Sequence, residues 1–105
     1  MTDLLSLLAA HGRTVLTTQR KNTFEAAAER FAQTLAVIPD YPAAKVSEES
    51  FASLNALTER VVARINRRLD RNDLDDRERQ RLTRSVSEIR RGLEEAFRWR
   101  RTTRA

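Results

Sequence analysis

Cysteine is absent from this chain of 105 residues, and glycine and proline occur only twice each. Without thiols there can be no disulfide, no thiolate metal site and no cysteine nucleophile, and such a composition suits a reducing compartment. So few glycines and prolines leave little punctuation, which favours long uninterrupted helices over turn-rich sheets. Long apolar runs are also missing: nothing approaches the roughly 20 consecutive apolar residues of a membrane span. The opening run Leu4-Leu5-Ser6-Leu7-Leu8-Ala9-Ala10 is short. It follows Asp3, where a secretory signal would carry lysine or arginine. The sequence reads as a soluble, cytoplasmic chain with no membrane partner.

The groups that usually carry catalysis are just as sparse. His11 is the single histidine, and no neighbour in sequence supplies the orienting partner a general base needs. It reads instead as a helix C-terminal residue near the negative end of the dipole. The carboxylates Asp70, Asp73, Asp75, Asp76 and Glu78 are interleaved with Arg71, Arg77 and Arg79. They lack the Asp-x-Asp-x-Asp-Gly turn and distal glutamate of a calcium loop, so helix capping explains them better than a cation. There is no glycine-rich phosphate loop, nucleophile elbow or metal-binding histidine pair. The expectation is a non-enzymatic protein without cofactor, metal or small-molecule substrate.

What the chain does have is charge, unevenly placed. Residues 1–50 carry five basic and six acidic side chains, net −1, while residues 51–105 carry fifteen and nine, net +6. All fifteen basic residues of the second half are arginine. A GC-rich genome would favour arginine everywhere, but it does not account for the asymmetry. A surface built for phosphate or carboxylate does, because the guanidinium fork matches both.

A chain of this size forms one domain and buries roughly 65% of its unfolded surface. Its apolar residues recur with helical period. A first short helix is predicted from Asp3 to about His11, with Gly12 as its stop, followed by an ambiguous connector or continuation over residues 13–19. Asn22-Thr23-Phe24-Glu25 fits a capping box. Phe24, Ala28, Phe31, Leu35 and Ile38 then form a 4-3-4-3 seam, which ends at Pro39. Residues 39–46 form the one substantial loop. Ser47 caps a third helix with Glu48 and Glu49 in its first turn, and Phe51, Leu54, Leu57, Val61, Val62, Ile65 and Leu69 share a face. Asn72 or Asp73 caps the fourth, whose seam is Leu82, Val86, Ile89, Leu93 and Ala96, with Phe97 alongside.

The fold class is therefore all-α: a small bundle dominated by a long antiparallel hairpin over residues 47–101, resembling a coiled coil, with shorter N-terminal helices. A connection as short as the one at Asn72-Asp73 makes the last two helices antiparallel neighbours. At 1.5 Å per residue the third helix would be about 36 Å long, so the hairpin should outreach the shorter helices. Its apolar stripe is then expected to be covered by a second copy, through Phe51, Leu54, Val61, Ile65, Leu82, Val86, Ile89, Leu93 and Phe97.

Three groups of arginines are candidates for binding. Arg60, Arg64, Arg67 and Arg71 form a row on the third helix, opposite the apolar stripe. On the fourth, Arg77, Arg84, Arg91 and Arg98 recur every seven residues, but Arg84–Glu88, Arg91–Glu95 and Glu94–Arg98 would lace that face with i,i+4 pairs. The tail concentrates Arg98, Arg100, Arg101 and Arg104 around Trp99, an arrangement able to grip phosphates and stack on a base or fill a protein pocket. The leading expectation is an oligomeric helical module that handles nucleic acid through its backbone. By analogy of architecture alone, a phage-like or mobile-element accessory protein or DNA-packaging adaptor would fit. The alternative is a protein–protein adaptor, such as an anti-activator, chaperone or assembly factor, that meets an acidic protein surface with its amphipathic helices and Arg/Trp tail.

Overall fold

A computed structural model of the chain describes residues 4–38 and 47–103, with side chains as far as Arg98. It contains α1 (Leu4–Thr17), α2 (Lys21–Ala36), α3 (Glu48–Leu69) and α4 (Asp76–Thr103), and no strand among the described residues. The all-α class follows directly. The loop expected at 39–46 lies outside the described residues.

α1 runs past the stop expected at Gly12. The glycine keeps ordinary helical backbone with no positive φ, so nothing there reverses the chain. Beyond it, Thr14 and Thr17 donate their hydroxyls to the carbonyls of Ala10 and Arg13 at 3.0 and 2.8 Å. Val15 is fully buried. Burying that side chain, worth about 1.5–3 kcal/mol, outweighs the few tenths that β-branched residues lose in a helix. The ambiguous segment is thus mostly helix, and Thr18–Arg20 alone connects α1 to α2.

The start of α2 also differs from the expected capping box. Arg20 takes the extended N-cap position without any side-chain cap, and Asn22 lies inside the first turn. Glu25 does not reach back to the helix start. It is buried and accepts a hydrogen bond from Arg81 of α4 at 3.0 Å, a charged partner that outcompetes a backbone amide. The seam beyond it is as expected: Phe24, Ala28, Phe31, Leu35 and Ile38 are all buried. Ser47 caps α3, its hydroxyl oxygen accepting from the Ser50 amide at 3.0 Å. α4 is capped later than expected. Asp75, not Asn72 or Asp73, accepts from the Glu78 amide at 2.8 Å, while Asp73 pairs with Arg71 at 3.1 Å.

Contacts along the helices give their directions. Phe51, near the start of α3, meets Phe97, late in α4, edge to face at 5.1 Å, and Arg68 meets Glu78 at the other end. α3 and α4 are therefore antiparallel neighbours. α1 runs parallel to α3, with Leu5 and Ala9 beside Ser50 and Ser53, then Thr18 beside Arg68. α2 runs parallel to α4, from the Lys21–Glu78 contact to Leu35 against Gly92. Two helical hairpins thus lie side by side as a four-helix bundle measuring 48 × 25 × 19 Å.

Both glycines of the chain sit where one hairpin touches the other. A Cβ on Gly12 would come within 3.0 Å of Leu57, and one on Gly92 within 3.1 Å of Leu35. Glycine in a helix interior costs about 1 kcal/mol relative to alanine, and close approach of the hairpins is what it provides in return. Leu35 is fully buried and has nowhere to retreat. Gly92→Val is therefore expected to destabilise the protein by about 1–3 kcal/mol, read as a lowered urea midpoint. Unchanged stability would mean that the two hairpins are not in contact there.

The core draws on all four helices. Leu8 and Val15 come from α1, Phe24 to Leu35 from α2, Leu54, Val61 and Ile65 from α3, and Leu82, Ile89 and Ala96 from α4. The hairpin's apolar stripe does not stand out in water as expected, because α1 and α2 cover it within one chain. Among the described residues α4 is the longest element: at 1.5 Å per residue its 28 residues reach about 42 Å, against about 24 Å for α2.

Candidate functional site

Charge clasps the bundle at the end where α1 and α3 finish and α2 and α4 begin. The Glu78 carboxylate, 3% exposed, is held by Lys21 Nζ at 2.8 Å and by Arg68 Nη2 at 3.1 Å. Arg68 Nε adds a second hydrogen bond at 3.3 Å. Hydrogen bonding to Glu78, then its charge, raises the Lys21 ammonium above its ordinary 10.5, against a smaller opposing effect of desolvation. Arg79 donates to the carbonyls of Leu69 and Arg71 at 2.8 and 3.1 Å. It thereby satisfies the end of α3 and places a cation at the negative pole of that helix. A second cross-link joins α4 to α2, where Arg81 donates to Glu29 at 2.8 Å as well as to Glu25. Hydrogen bonding and charge from Glu29 raise the Arg81 guanidinium further above its ordinary value.

The arginine row of α3 divides in two. Arg60 and Arg67 are exposed and form no ion pair among the described residues, while Arg71 is exposed and held by Asp73. Arg64 does not stand opposite the apolar stripe. It is half-buried at the edge of the bundle, with its guanidinium carbon 5.9 Å from the centroid of the Phe24 ring. Arg68, which the spacing did not single out, lies 5.6 Å from the same ring. Arg64, Arg68 and Arg71, with Thr18, Gln19 and Phe24, line a recess of about 270 Å³. The Arg64 Nε is buried with no hydrogen-bond partner. A buried donor without an acceptor costs about 1–3 kcal/mol, more than the 0.5–1 kcal/mol or so of a cation–π contact. Local packing therefore leaves Arg64 with an unmet electrostatic demand.

On α4, Arg77, Arg84, Arg90 and Arg91 are exposed. The expected pairs Arg84–Glu88 and Arg91–Glu95 do not close: no ion pair within 4.0 Å links these residues. Such pairs contribute only about 0.2–0.5 kcal/mol, so leaving them open costs little. Arg98 is exposed and engaged in an interaction of its own. The candidate side chains Trp99, Arg100, Arg101 and Arg104 lie outside the described residues.

Of the side chains expected at a self-association seam, Leu54, Val61, Ile65, Leu82 and Ile89 are buried inside the single chain. Phe51, Val86 and Leu93 are partly buried against that core. Phe97 is 38% exposed and, with Leu7 and Val37, makes up the large apolar side chains open to solvent among the described residues. His11 borders a shallow depression with Thr14, Asn22 and Arg30, which supplies no carboxylate to orient it. Among the described residues no three His, Cys, Asp or Glu side chains are grouped to hold a metal ion, and no helix is long and apolar enough to cross a membrane.

The arrangement defines an all-α four-helix bundle with an ion-paired end and arginines spread over two of its helices. No protein-family model matches the chain, and no curated protein or solved structure was found to be similar to it.

Proposed function

We propose that this protein is a non-enzymatic helical module that handles nucleic acid through its phosphate backbone. The observation that carries this reading is the set of exposed guanidinium groups that form no ion pair among the described residues: Arg60 and Arg67 on α3, and Arg77, Arg84 and Arg91 on α4. The ion pairs that do form concentrate where helices meet, so they hold the fold and do not neutralise these side chains. Each phosphate contacted releases condensed counterions, which makes such binding strongly dependent on salt. The arginine-rich tail after Phe97, with Trp99 inside it, would extend the same surface.

Fluorescence anisotropy with a labelled mixed-sequence duplex tests the reading. With about four to six phosphates contacted, affinity is expected to fall by two to three decades between about 50 and 200 mM salt. Arg67→Gln should weaken binding to every sequence alike and lower the salt slope by about one. Absence of binding at the lower salt concentration would overturn duplex recognition.

A protein partner, a second copy included, is the reading favoured by Phe97. An aromatic ring left partly open beside Phe51 is the kind of anchor that protein interfaces use. Self-association would then run through this end of the bundle, and the arginines would meet an acidic protein surface. Concentration-dependent sedimentation, lost in Phe97→Ala, is the result this second reading requires.

A further inference from the structure

We infer that the recess between the α1–α2 connection and the last turns of α3 is a binding site for a single phosphate group, with Arg64 as its principal donor. Three arginines line the recess, and the charges that face them do not cancel. Arg68 is matched by Glu78, which Lys21 also holds, and Arg71 is matched by Asp73. Among the described residues Arg64 forms no ion pair, and its Nε–H is buried with no acceptor. The fold therefore supplies one guanidinium that lies over Phe24 and lines the recess without a carboxylate to neutralise it. Its terminal N–H groups can donate to phosphate oxygens.

Two further features point to an anion. α2 begins beside the recess, at residues adjoining Thr18 and Gln19, and no side chain caps it and no acidic residue stands in its first turn. Nothing within the first turn itself compensates the pole of that helix, whose Lys21 draws in Glu78 and Asp75 from the α4 side, and oxyanions are favoured at such a pole. Thr18 and Gln19 add a hydroxyl and an amide, both able to donate to phosphate oxygens. The recess, about 270 Å³, has room for a phosphate with its waters. The site goes beyond the diffuse contact proposed above and does not depend on it. The phosphate could belong to a nucleic-acid backbone or be free in solution, and the chemistry of recognition is the same.

Full-length protein labelled with ¹⁵N-arginine and titrated with inorganic phosphate, against chloride at matched ionic strength, tests the assignment. The Arg64 Nε–H resonance, assigned from its loss in Arg64→Gln, is expected to shift saturably, while that of exposed Arg60 stays in place. At ten times the dissociation constant the wild-type thermal midpoint should rise by roughly 5–10 °C, and the rise should vanish in Arg64→Gln but persist in Arg60→Gln. A stationary Arg64 resonance would overturn the site. So would an equal thermal gain in Arg64→Gln, since phosphate also stabilises proteins by being excluded from their surfaces. Where Arg64→Gln folds poorly, Arg64→Lys, which keeps the charge at the edge of the bundle, supplies the assignment, and the wild-type titration then decides the matter. Short duplex DNA then identifies the source. If it displaces phosphate from Arg64, the group bound is a backbone phosphate. If phosphate shifts the resonance and DNA does not, the site takes a free phosphate and stands even where duplex recognition fails.

Discussion

Truncating Phe31 to alanine is expected to remove about 3–5 kcal/mol of stability and to lower the thermal midpoint by roughly 15–30 °C. Phe31 is the largest fully buried side chain among the described residues. It stands in the middle of α2, the helix that touches both α1 and α4. Natural domains have only about 5–15 kcal/mol to lose, so the substitution should bring the bundle close to unfolding at ambient temperature. Three alanines, Ala27, Ala28 and Ala32, surround it on the same helix and are themselves buried. Small side chains let the neighbouring helices approach, so little nearby bulk can swing in to fill the cavity. The contrast is Phe97→Ala. That ring is 38% exposed, and its removal should cost about 1 kcal/mol, the typical size of a single-substitution effect. Equal losses from the two substitutions, measured by urea denaturation, would show that the core is not centred on α2.

The position of Phe31 was legible because the seam from Phe24 to Ile38 repeats with helical period over four turns, and nothing interrupts it. The apolar stripes of α3 and α4 were equally legible, but not what covers them. That depended on the length of α1. Reading Gly12 as a stop halves this helix and discards Val15, which with Leu8 forms a buried pair seven residues apart. The hairpin then outreaches its neighbours in length, and the cover that α1 and α2 provide within one chain goes unread. Glycine has two uses, positive φ and close approach, and the local sequence does not distinguish them. Only Leu57, 45 residues further on, reveals which use applies at Gly12.

The exposure of the arginines was legible only in part. Charge asymmetry identified α3 and α4 as the basic elements, and Arg60 and Arg67 are indeed exposed. Spacing put Arg64 in the same row, yet it turns toward Phe24, a residue 40 positions earlier. Arg68 and Arg81 were passed over because their partners lie on other helices. Glu25 and Glu29 reach Arg81 across more than 50 residues. Periodicity within a helix shows which residues share a face. The partner across the interface is set by the packing of the hairpins, which no local pattern records.

That packing gives Glu78 its importance, and Glu78→Gln is expected to destabilise the bundle by about 2–3 kcal/mol. Breaking a buried ion pair costs about 3–5 kcal/mol when the remaining charge is stranded. Here the penalty is smaller, because Lys21 is 50% exposed and can hydrate, whereas Arg68, 20% exposed, has less access to water. The backbone contribution survives, since Asp75 still caps the amide of residue 78, so the loss reports the carboxylate itself. The dependence on pH separates this explanation from simple mispacking. Contact with Glu78 raises Lys21 above 10.5, so the ammonium is bound more tightly in the folded state than in the unfolded chain. Its contribution is fully present below pH 10.5 and is lost as the pH rises through the folded value. The gap between wild type and Glu78→Gln, measured by urea denaturation, should therefore be constant from pH 7 to about 10 and narrow above that. It should not close entirely, because the hydrogen bonds that Arg68 donates to Glu78 do not depend on Lys21. A gap that is absent at pH 7 would mean that the end of the bundle is held by packing alone, and one that fails to narrow in alkali would mean that Arg68, without Lys21, carries the contribution of Glu78.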